Sequence, residues 1–257
     1  MPACLRICLL LLLIGIARPG YAAAQTVVVY NYYDLPPFIT GSGKGLTHAL
    51  TRRLNTVAPD RYRFQVVSLP RRRLDLQINQ PGPAWVVPWA NPAWFGDTGR
   101  QRYRWSPPLL RDHDWWLSRQ NHPLTPEALK SASGLQFGGL LGHHYGDLDP
   151  AIDAERIKRY DALDYASSLR MLQAGRVDFI SMPISVMTWL QRRNPELFNA
   201  ITALPRGQPY ERHLFSAASD PALADFISTA MQRLAQNPSW QQELQAYQRD
   251  DVPLAMQ

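Results

Sequence analysis

Residues 27–54, VVVYNYYDLPPFITGSGKGLTHALTRRL, give the first indication of the fold. The β-branched start predicts a buried strand, which must end at Pro36 and Pro37 because proline has a fixed φ and no N–H to donate. The glycine-rich segment 41–45 predicts a turn, and the leucines that follow at helical spacing predict a helix. A loop rich in tyrosine and proline at the carboxyl end of a strand is where open α/β sheets commonly hold a ligand. The alternative, a structural loop whose rings cap the core, is equally consistent with this stretch.

The first 24 residues have the features of a secretory signal peptide: Arg6, an apolar run over residues 7–17, and small residues at 22–24. The apolar run is shorter than the roughly 20 residues that a membrane-spanning helix needs. We therefore predict that the mature chain begins near Gln25 and is soluble outside the cytoplasm. Both cysteines of the chain lie in this segment, so a mature protein would have no disulfide, no thiol nucleophile and no thiolate metal site.

The charge of the predicted mature chain is modest. Of 27 Lys and Arg residues, Arg6 and Arg18 lie in the signal, which leaves 25 basic against 21 acidic residues. The densest basic run, residues 71–73, fits the solvated face of a helix and lacks the interleaved aromatic residues of a nucleic-acid site, so we expect no nucleic-acid partner. Because His143 and His144 are adjacent and point apart, without a third ligand at suitable spacing, we expect no metal and no cofactor.

Alternating strand and helix patterns continue along the chain. Strands are predicted at residues 63–67 and 85–87. A helix between them starts at Pro70 and has Leu74 and Leu76 among its apolar residues. The resulting βαβαβ order predicts a parallel sheet with right-handed crossovers.

The same alternation begins again after an extended segment at residues 113–118. Further strands and helices are predicted at residues 126–131, 135–139, 157–160, 165–175, 177–182 and 186–193. An extended return at 208–217 leads to two C-terminal helices, one starting at Pro221 and one carrying Trp240, Leu244 and Tyr247. Two α/β lobes joined by two crossings enclose a cleft, which is a common place for a small ligand.

Three segments carry a resemblance to a known family. They are the first strand and loop at residues 27–50, the segment 100–109 with its Trp-Ser-Pro-Pro, and Leu-Gln-Ala-Gly-Arg-Val-Asp at 172–178. In type and order they are similar to the bacterial periplasmic solute-binding proteins of family 3, the polar amino acid type of ABC importers. The resemblance extends over residues 26–248 and implies the two-lobed, α/β type 2 periplasmic-binding fold.

The resemblance implies a domain organisation and a function. Lobe one would comprise residues 25–112 and 215–257, and lobe two residues 113–214. We expect a monomeric, non-enzymatic protein in the periplasm that captures a small polar solute, anionic or amino-acid-like, for the permease of an ABC importer. Two alternatives share the fold: a periplasmic enzyme of the dehydratase type, and a sensor that docks on a membrane receptor.

The chain departs from the family at the positions that bind an amino acid. Members of the family carry a carboxylate for the ligand ammonium at positions that correspond to Tyr32 and Pro183 here. Asp34 is near the first position and is the candidate substitute. The arginine that clamps the ligand carboxylate is matched best by Arg100, with Arg102 as the alternative.

Further candidate ligand-binding residues follow the predicted strands. Tyr32 is expected to face the cleft. Trp89 and Asn91 follow the third strand, where a structural role is an equally good interpretation. His143 and Tyr145 lie where a helix of lobe two is predicted to begin, and backbone N–H groups at a helix start favour an anionic group. Solvent-facing histidines are the alternative there.

Overall fold

The structure is a computed structural model that describes residues 24–57, 60–131 and 133–245. Residues 1–23 of the predicted signal and Tyr247 of the predicted last helix lie outside these ranges. In chain order the elements are β1 (Gln25–Asn31), α1 (Leu46–Val57), β2 (Tyr62–Ser68), α2 (Arg71–Gln77), β3 (Ala84–Ala90), β4 (Tyr103–Trp105), β5 (Leu110–Arg119), α3 (Pro126–Ser131), β6 (Leu135–Leu140), α4 (Asp149–Asp153), β7 (Ile157–Ala162), α5 (Tyr165–Gln173), β8 (Phe179–Pro183), α6 (Ile184–Arg193), β9 (Ile201–Ala217), α7 (Pro221–Ala235) and α8 (Pro238–Gln245).

Lobe one is built on the parallel strands β2, β1 and β3, with β3 pairing antiparallel to the second half of β9. Helix α1 buries Leu46, Leu50 and Leu54 on one face, as expected for an amphipathic helix. Directly before it, Gly45 has a φ of +104°. A side chain there would clash with the Phe38 carbonyl oxygen, so this turn requires glycine.

Lobe two is built on the parallel strands β8, β6 and β7, with β5 and the first half of β9 completing the sheet. The Asp164 carboxylate accepts a hydrogen bond from the Ser167 N–H and caps the start of α5. Leu169 and Leu172 of this helix are buried. Gly175, with a φ of +69°, follows its end, as is common at helix C-termini.

Two long strands connect the lobes. β5 and β9 pair antiparallel, Leu110 opposite Arg212 in one half and Arg119 opposite Ile201 in the other, with a register shift between Asp112 and Asp114. They join the strands of both lobes into one path of order β2-β1-β3-β9-β5-β8-β6-β7, and β4 pairs with β9 off this path. The register shift lies where the strands pass from one lobe to the other.

The directions of the strands place the carboxyl ends of both parallel sheets at this shift. The end of β3, Ala90, lies opposite His213 of β9. The end of β8, Pro183, lies opposite Asp114 of β5. The loops that follow the parallel strands therefore meet from two sides, as expected for a cleft at the carboxyl edges of α/β sheets.

Most of the predicted architecture is confirmed, including the α/β class, the two lobes and helix α3 at Pro126–Ser131. On α2, Leu74 is buried and Leu76 is 61% exposed, and Ile78, which directly follows the helix, is buried. The limits of the lobes at 112/113 and 214/215 stay a prediction. Within the described ranges, no helix combines the length and apolar character needed to cross a membrane.

Candidate functional site

Arg212 lies at the centre of the region where the lobes meet. Its side chain is fully buried. Its Nε donates to Asp112 Oδ2 at 2.8 Å, its Nη1 to the Trp89 carbonyl at 3.2 Å and its Nη2 to the Tyr210 hydroxyl at 3.1 Å. Four aromatic rings lie within 5.3 Å of its guanidinium carbon, those of Tyr33, Phe38, Trp94 and Tyr210. Such rings stabilise a cation through their negative faces.

Asp112 connects this cation to lobe two. Its Oδ2 accepts hydrogen bonds from Arg212 Nε and from the Ser185 hydroxyl at 2.8 Å, and its Oδ1 accepts from the Ser185 N–H at 3.2 Å. Ser185 is in the first turn of α6, where the helix dipole favours a negative charge. Each charge of the buried pair therefore has several partners, which is the condition under which such a pair is tolerated away from water.

A second charged cluster lies beside the first and more open to solvent. Arg206 donates to Asp147 through Nε and Nη2 and to the Ser181 hydroxyl at 2.7 Å. Asp114 lies 3.7 Å from Arg206 Nη1 and accepts a hydrogen bond of 2.8 Å from the Tyr210 hydroxyl. Burial raises the pKa of Asp114, although Arg206 opposes this shift.

The Tyr210 hydroxyl joins the two clusters. It accepts from Arg212 Nη2 and donates to Asp114 Oδ1. Burial raises the pKa of this phenol well above its usual value, with Arg212 acting in the opposite direction. The phenol therefore stays protonated and supplies the donor that Asp114 requires.

Tyr33 and His143 face each other across the cleft, one from each lobe, with ring centroids 6.1 Å apart. Burial lowers the pKa of His143 to about 4, and the positive charges of Arg212 and Arg159 act in the same direction. At neutral pH the imidazole is therefore uncharged and acts as a polar aromatic surface rather than a cation.

Of the residues predicted in the first loop, Tyr32 and Asp34 have different surroundings. Tyr32 is half-buried, packs edge-on against Tyr33 at 4.7 Å, and its hydroxyl donates to the Trp89 carbonyl at 3.5 Å. Burial raises its pKa well above the usual value, and the neighbouring Tyr33 adds to this. Asp34 is exposed to solvent and lies beside the cleft residues in sequence rather than within the cluster around Arg212.

Trp89 and Asn91 have structural partners. The Trp89 side chain is fully buried and its indole N–H donates to Thr47 Oγ1 at 2.9 Å. Its φ of +64° is strained for a bulky residue, and it is the backbone carbonyl of Trp89 that reaches Arg212. Asn91 caps the 3₁₀ helix Pro92–Phe95 and donates to the Glu211 carbonyl at 3.0 Å.

Neither predicted carboxylate clamp is part of the two clusters. Arg100 is exposed and its Nη2 lies 3.1 Å from His213 Nε2. Since Arg212 and His213 are consecutive on a strand, their side chains point to opposite faces of the sheet. Arg102 donates to the Asn79 side chain at 2.6 Å and stacks on Tyr103. The cations that the structure brings to the region between the lobes are therefore Arg212 and Arg206.

The predicted helix start at residues 142–145 is wrong, because α4 begins only at Asp149 and is five residues long. Tyr145 is buried, packs edge-on against Phe137 at 4.7 Å, and its hydroxyl accepts from the Leu140 N–H. Burial raises its pKa to about 12. Tyr145 thus packs within the core of lobe two, next to His143.

The residues that dominate the site were not predicted from the sequence. Tyr210 and Arg212 belong to the predicted extended return at 208–217 and Asp114 to the predicted extended segment at 113–118, whereas Arg206 and Asp112 lie just before these segments. The available signal was charge inside a strand pattern: Arg212 and His213 precede the apolar Leu214 without a turn. Among the described residues, no group of three or more His, Cys, Asp or Glu side chains is placed to hold a metal ion.

A scan against protein-family models gives no match, and neither does a comparison with curated proteins. Solved structures do match. A protein of the glutathione import system of Streptococcus mutans, with GshT and the cystine ABC importer TcyBC, is 13% identical, with a TM-score of 0.69, over 87% of this chain and 95% of the other. An ancestral arginine-binding protein bound to arginine is 13% identical, with a TM-score of 0.66, over 88% and 99% of the two chains. A histidine kinase sensor domain with similarity to periplasmic binding proteins is 16% identical, with a TM-score of 0.65, over 87% and 96%.

This chain has the periplasmic-binding-protein fold. The similarity extends over nearly the full length of both partners in each comparison. It therefore includes both lobes and the two crossings that carry the charged clusters. Within this fold, the arrangement of Tyr33 and His143 on opposite lobes and of Arg206, Arg212 and Asp114 between them can hold a small polar molecule by ion pairs, hydrogen bonds and ring contacts.

Proposed function

We propose that the protein is a solute-binding protein that encloses a small polar solute, such as an amino-acid-like molecule, in the cleft between its lobes. The observation that carries the proposal is the convergence of charged and aromatic side chains from both lobes at the shift between β5 and β9. Convergent polar groups among aromatic walls are typical of small-molecule sites. The similarity to an arginine-binding protein and to a glutathione import protein supports the same role.

The proposed mechanism is closure about the two crossings. The register shift between Asp112 and Asp114 and the positive φ of Gly207, +65°, lie at the same level of the paired strands. Hinges are a few strand-terminal or loop residues that absorb a change in φ and ψ. Tyr33 and His143, whose ring centroids are 6.1 Å apart, would lie over the enclosed solute and shield it from water.

The proposal includes export, a monomeric state and a membrane partner. Residues 1–24 support secretion to the periplasm. A closed binding protein would deliver its solute to the permease of an ABC importer, and the similarity to an import protein is consistent with this. We propose a binding rather than an enzymatic role because the solved structures compared above are described as import, binding and sensor proteins.

A sensory role is the second candidate, favoured by the similarity to a histidine kinase sensor domain. The same cleft would then report the solute to a membrane receptor instead of delivering it. Both roles require a saturable solute site between the lobes. They differ in the protein that recognises the closed form.

Intrinsic tryptophan fluorescence and thermal unfolding, measured over a panel of amino acids, dicarboxylates, amines and aromatic acids, test the proposal. We expect a saturable shift with at least one solute, which is recovered chemically unchanged. Tyr33→Leu should weaken that binding at least tenfold, whereas Tyr160→Leu, at a 43% exposed residue of β7, should leave it intact. A folded protein that responds to no member of the panel, or that consumes the solute, would contradict the proposal.

A further inference from the structure

We propose that the solute carries an organic cation, an ammonium or guanidinium group, which Asp114 and Asp147 receive, and that binding does not require a carboxylate on the solute. This inference rests on the proposed function and names the chemical class of its solute. It follows from which charges in the cleft already have partners, which charge is in excess, and which side chains reach solvent.

The buried guanidinium group of Arg212 is enclosed and out of reach of a solute carboxylate. Each of the three nitrogens of Arg212 already donates a hydrogen bond, to Asp112, to the Trp89 carbonyl and to Tyr210. Aromatic rings surround its guanidinium group, and the side chain has no exposed area. An incoming carboxylate would therefore have to open this aromatic enclosure before it could reach the guanidinium group.

The charges in the two clusters do not balance. Two guanidinium groups, on Arg206 and Arg212, lie among three carboxylates, on Asp112, Asp114 and Asp147. His143 is neutral near pH 7, because its pKa is about 4. One negative charge is therefore in excess, and a buried negative charge is stabilised when a cation joins it.

The excess charge is on the side that a solute can reach. The side chains of Asp112 and Arg212 are both 0% exposed. Arg206 is 13% exposed, Asp114 28% and Asp147 51%. Solvent exposure thus increases from the buried Asp112–Arg212 pair toward Asp114 and Asp147. A solute that enters the cleft therefore meets carboxylate oxygens before it meets a guanidinium group.

The carboxylate of Asp114 also accepts fewer hydrogen bonds than its two oxygens allow. Oδ1 takes the Tyr210 hydroxyl at 2.8 Å, while Oδ2 is 3.7 Å from Arg206 Nη1, beyond hydrogen-bond distance. Arg206 makes its close contacts to Asp147 and Ser181 instead. An ammonium or guanidinium group beside Oδ2 would complete the arrangement with a charge-assisted hydrogen bond.

The register of the strands places Asp114 at the end of β8, where the two lobes meet. Asp114 is directly opposite Pro183, the residue that ends β8 and immediately precedes α6. Tyr33 and His143 stand on the two sides of the same space and offer ring surfaces to a cation. Both lobes thus contribute an aromatic ring beside the acidic residues of the proposed cation site.

Isothermal titration calorimetry with matched pairs of probes tests this inference: agmatine against arginine, cadaverine against lysine, and tyramine against tyrosine. In each pair the two molecules differ by one carboxylate. We expect at least one amine to bind no more weakly than its parent amino acid, and succinate and glutarate not to bind. Asp114→Asn should weaken the binding of that amine at least tenfold, and Asp147→Asn should weaken it less.

Asp225→Asn provides the control, because Asp225 is exposed on α7, outside the two clusters, and the affinity of this variant should equal that of the wild type. A thermal melt shows that each variant is folded, and Asp147→Asn, at a half-exposed residue, remains informative if Asp114→Asn is unstable. Binding of dicarboxylates, or of the amino acid alone in every pair, would overturn the inference and leave the proposed function intact. No binding across the whole panel would overturn both.

Discussion

The two guanidinium clusters of the cleft are built on the same pair of strands, yet they differ in composition and exposure. The Asp112–Arg212 pair combines one negative and one positive charge and is fully buried. Each of the two ions has several further hydrogen-bond partners. The cluster around Arg206 has two carboxylates for one cation and reaches solvent through Asp147. The first is arranged as a structural element, whereas the second has the surplus charge and the access that a binding site needs.

The largest predicted effect is a difference in unfolding free energy between variants of the two clusters. Asp112→Ala leaves the buried Arg212 without its counter-ion, and we expect a loss of about 3–5 kcal/mol of unfolding free energy. Asp147→Ala, at the exposed end of the other cluster, should cost about 1 kcal/mol or less. Chemical denaturation of both variants measures the difference.

A double variant sharpens this prediction. Asp112→Leu combined with Arg212→Met removes both buried charges, and we expect it to recover much of the loss, because a buried pair is often replaced by apolar residues at little cost. Equal stability losses in the Asp112→Ala and Asp147→Ala proteins would contradict the division into a sealed and an open cluster.

The next effect concerns the hydrogen bonds that support the sealed region. The Thr47 hydroxyl donates to Asn31 Oδ1 at 3.0 Å and accepts from the Trp89 indole at 2.9 Å. Thr47→Val keeps the shape and leaves both groups unsatisfied, so we expect a loss of about 1–3 kcal/mol. Thr56→Val, on the exposed side of the same helix, should change stability by about 0.5 kcal/mol or less. Thermal unfolding measured by circular dichroism checks both values.

A pH-dependent effect is expected from His143. Its pKa is about 6.5 in the unfolded chain and about 4 in the folded protein, chiefly through burial, with Arg212, Arg159 and His144 lowering it further and Asp161 opposing them. Between these values the unfolded chain binds a proton that the folded protein does not, so stability falls as pH falls from about 6.5 to about 4.

The comparison of variants isolates this contribution. Urea unfolding at several pH values should show a smaller loss of stability toward pH 4 in His143→Gln than in the wild type. His144→Gln, at a side chain that is 89% exposed, should retain the wild-type profile. Identical profiles for wild type and His143→Gln would mean that His143 is not shielded in solution.

The smallest effect is expected at Arg100. Its side chain is exposed and contacts His213 rather than either cluster, so Arg100→Ala should change stability by about 0.5 kcal/mol or less. The affinity for a solute identified by fluorescence should also stay within twofold of the wild type. A tenfold loss of affinity would reinstate Arg100 as the carboxylate clamp and extend the binding site to the other face of β9.

The helices and strands were predictable where proline, glycine and apolar spacing are local signals. Residues 27–54 predict β1, the aromatic loop and α1, as observed. The first half of β9 was not predicted, because Pro205, Gly207 and Pro209 indicate a break. In the structure this 17-residue strand continues from one lobe to the other, and Gly207 has a positive φ within it, so the same residues coincide with the proposed hinge.

The site was less predictable, because its ion pairs join residues that are distant in sequence. Asp112 and Arg212 are 100 positions apart and meet only because β5 and β9 pair side by side. Nothing local to either residue indicates the partner. Tyr32 and His143 were predicted from the loops that follow parallel strands, and the rule that these loops converge holds independently of side-chain identity.

Hydrogen exchange with and without a solute from the fluorescence panel tests the central claim most directly, because it reports where the solute binds. We predict added protection in three segments, residues 30–38, 141–147 and 206–212, and unchanged exchange in residues 119–122 and 199–201. Residues 119–121 and 199–201, together with Gln173, line a separate depression at the far end of lobe two. Protection confined to that depression, with none in the three cleft segments, would contradict the account.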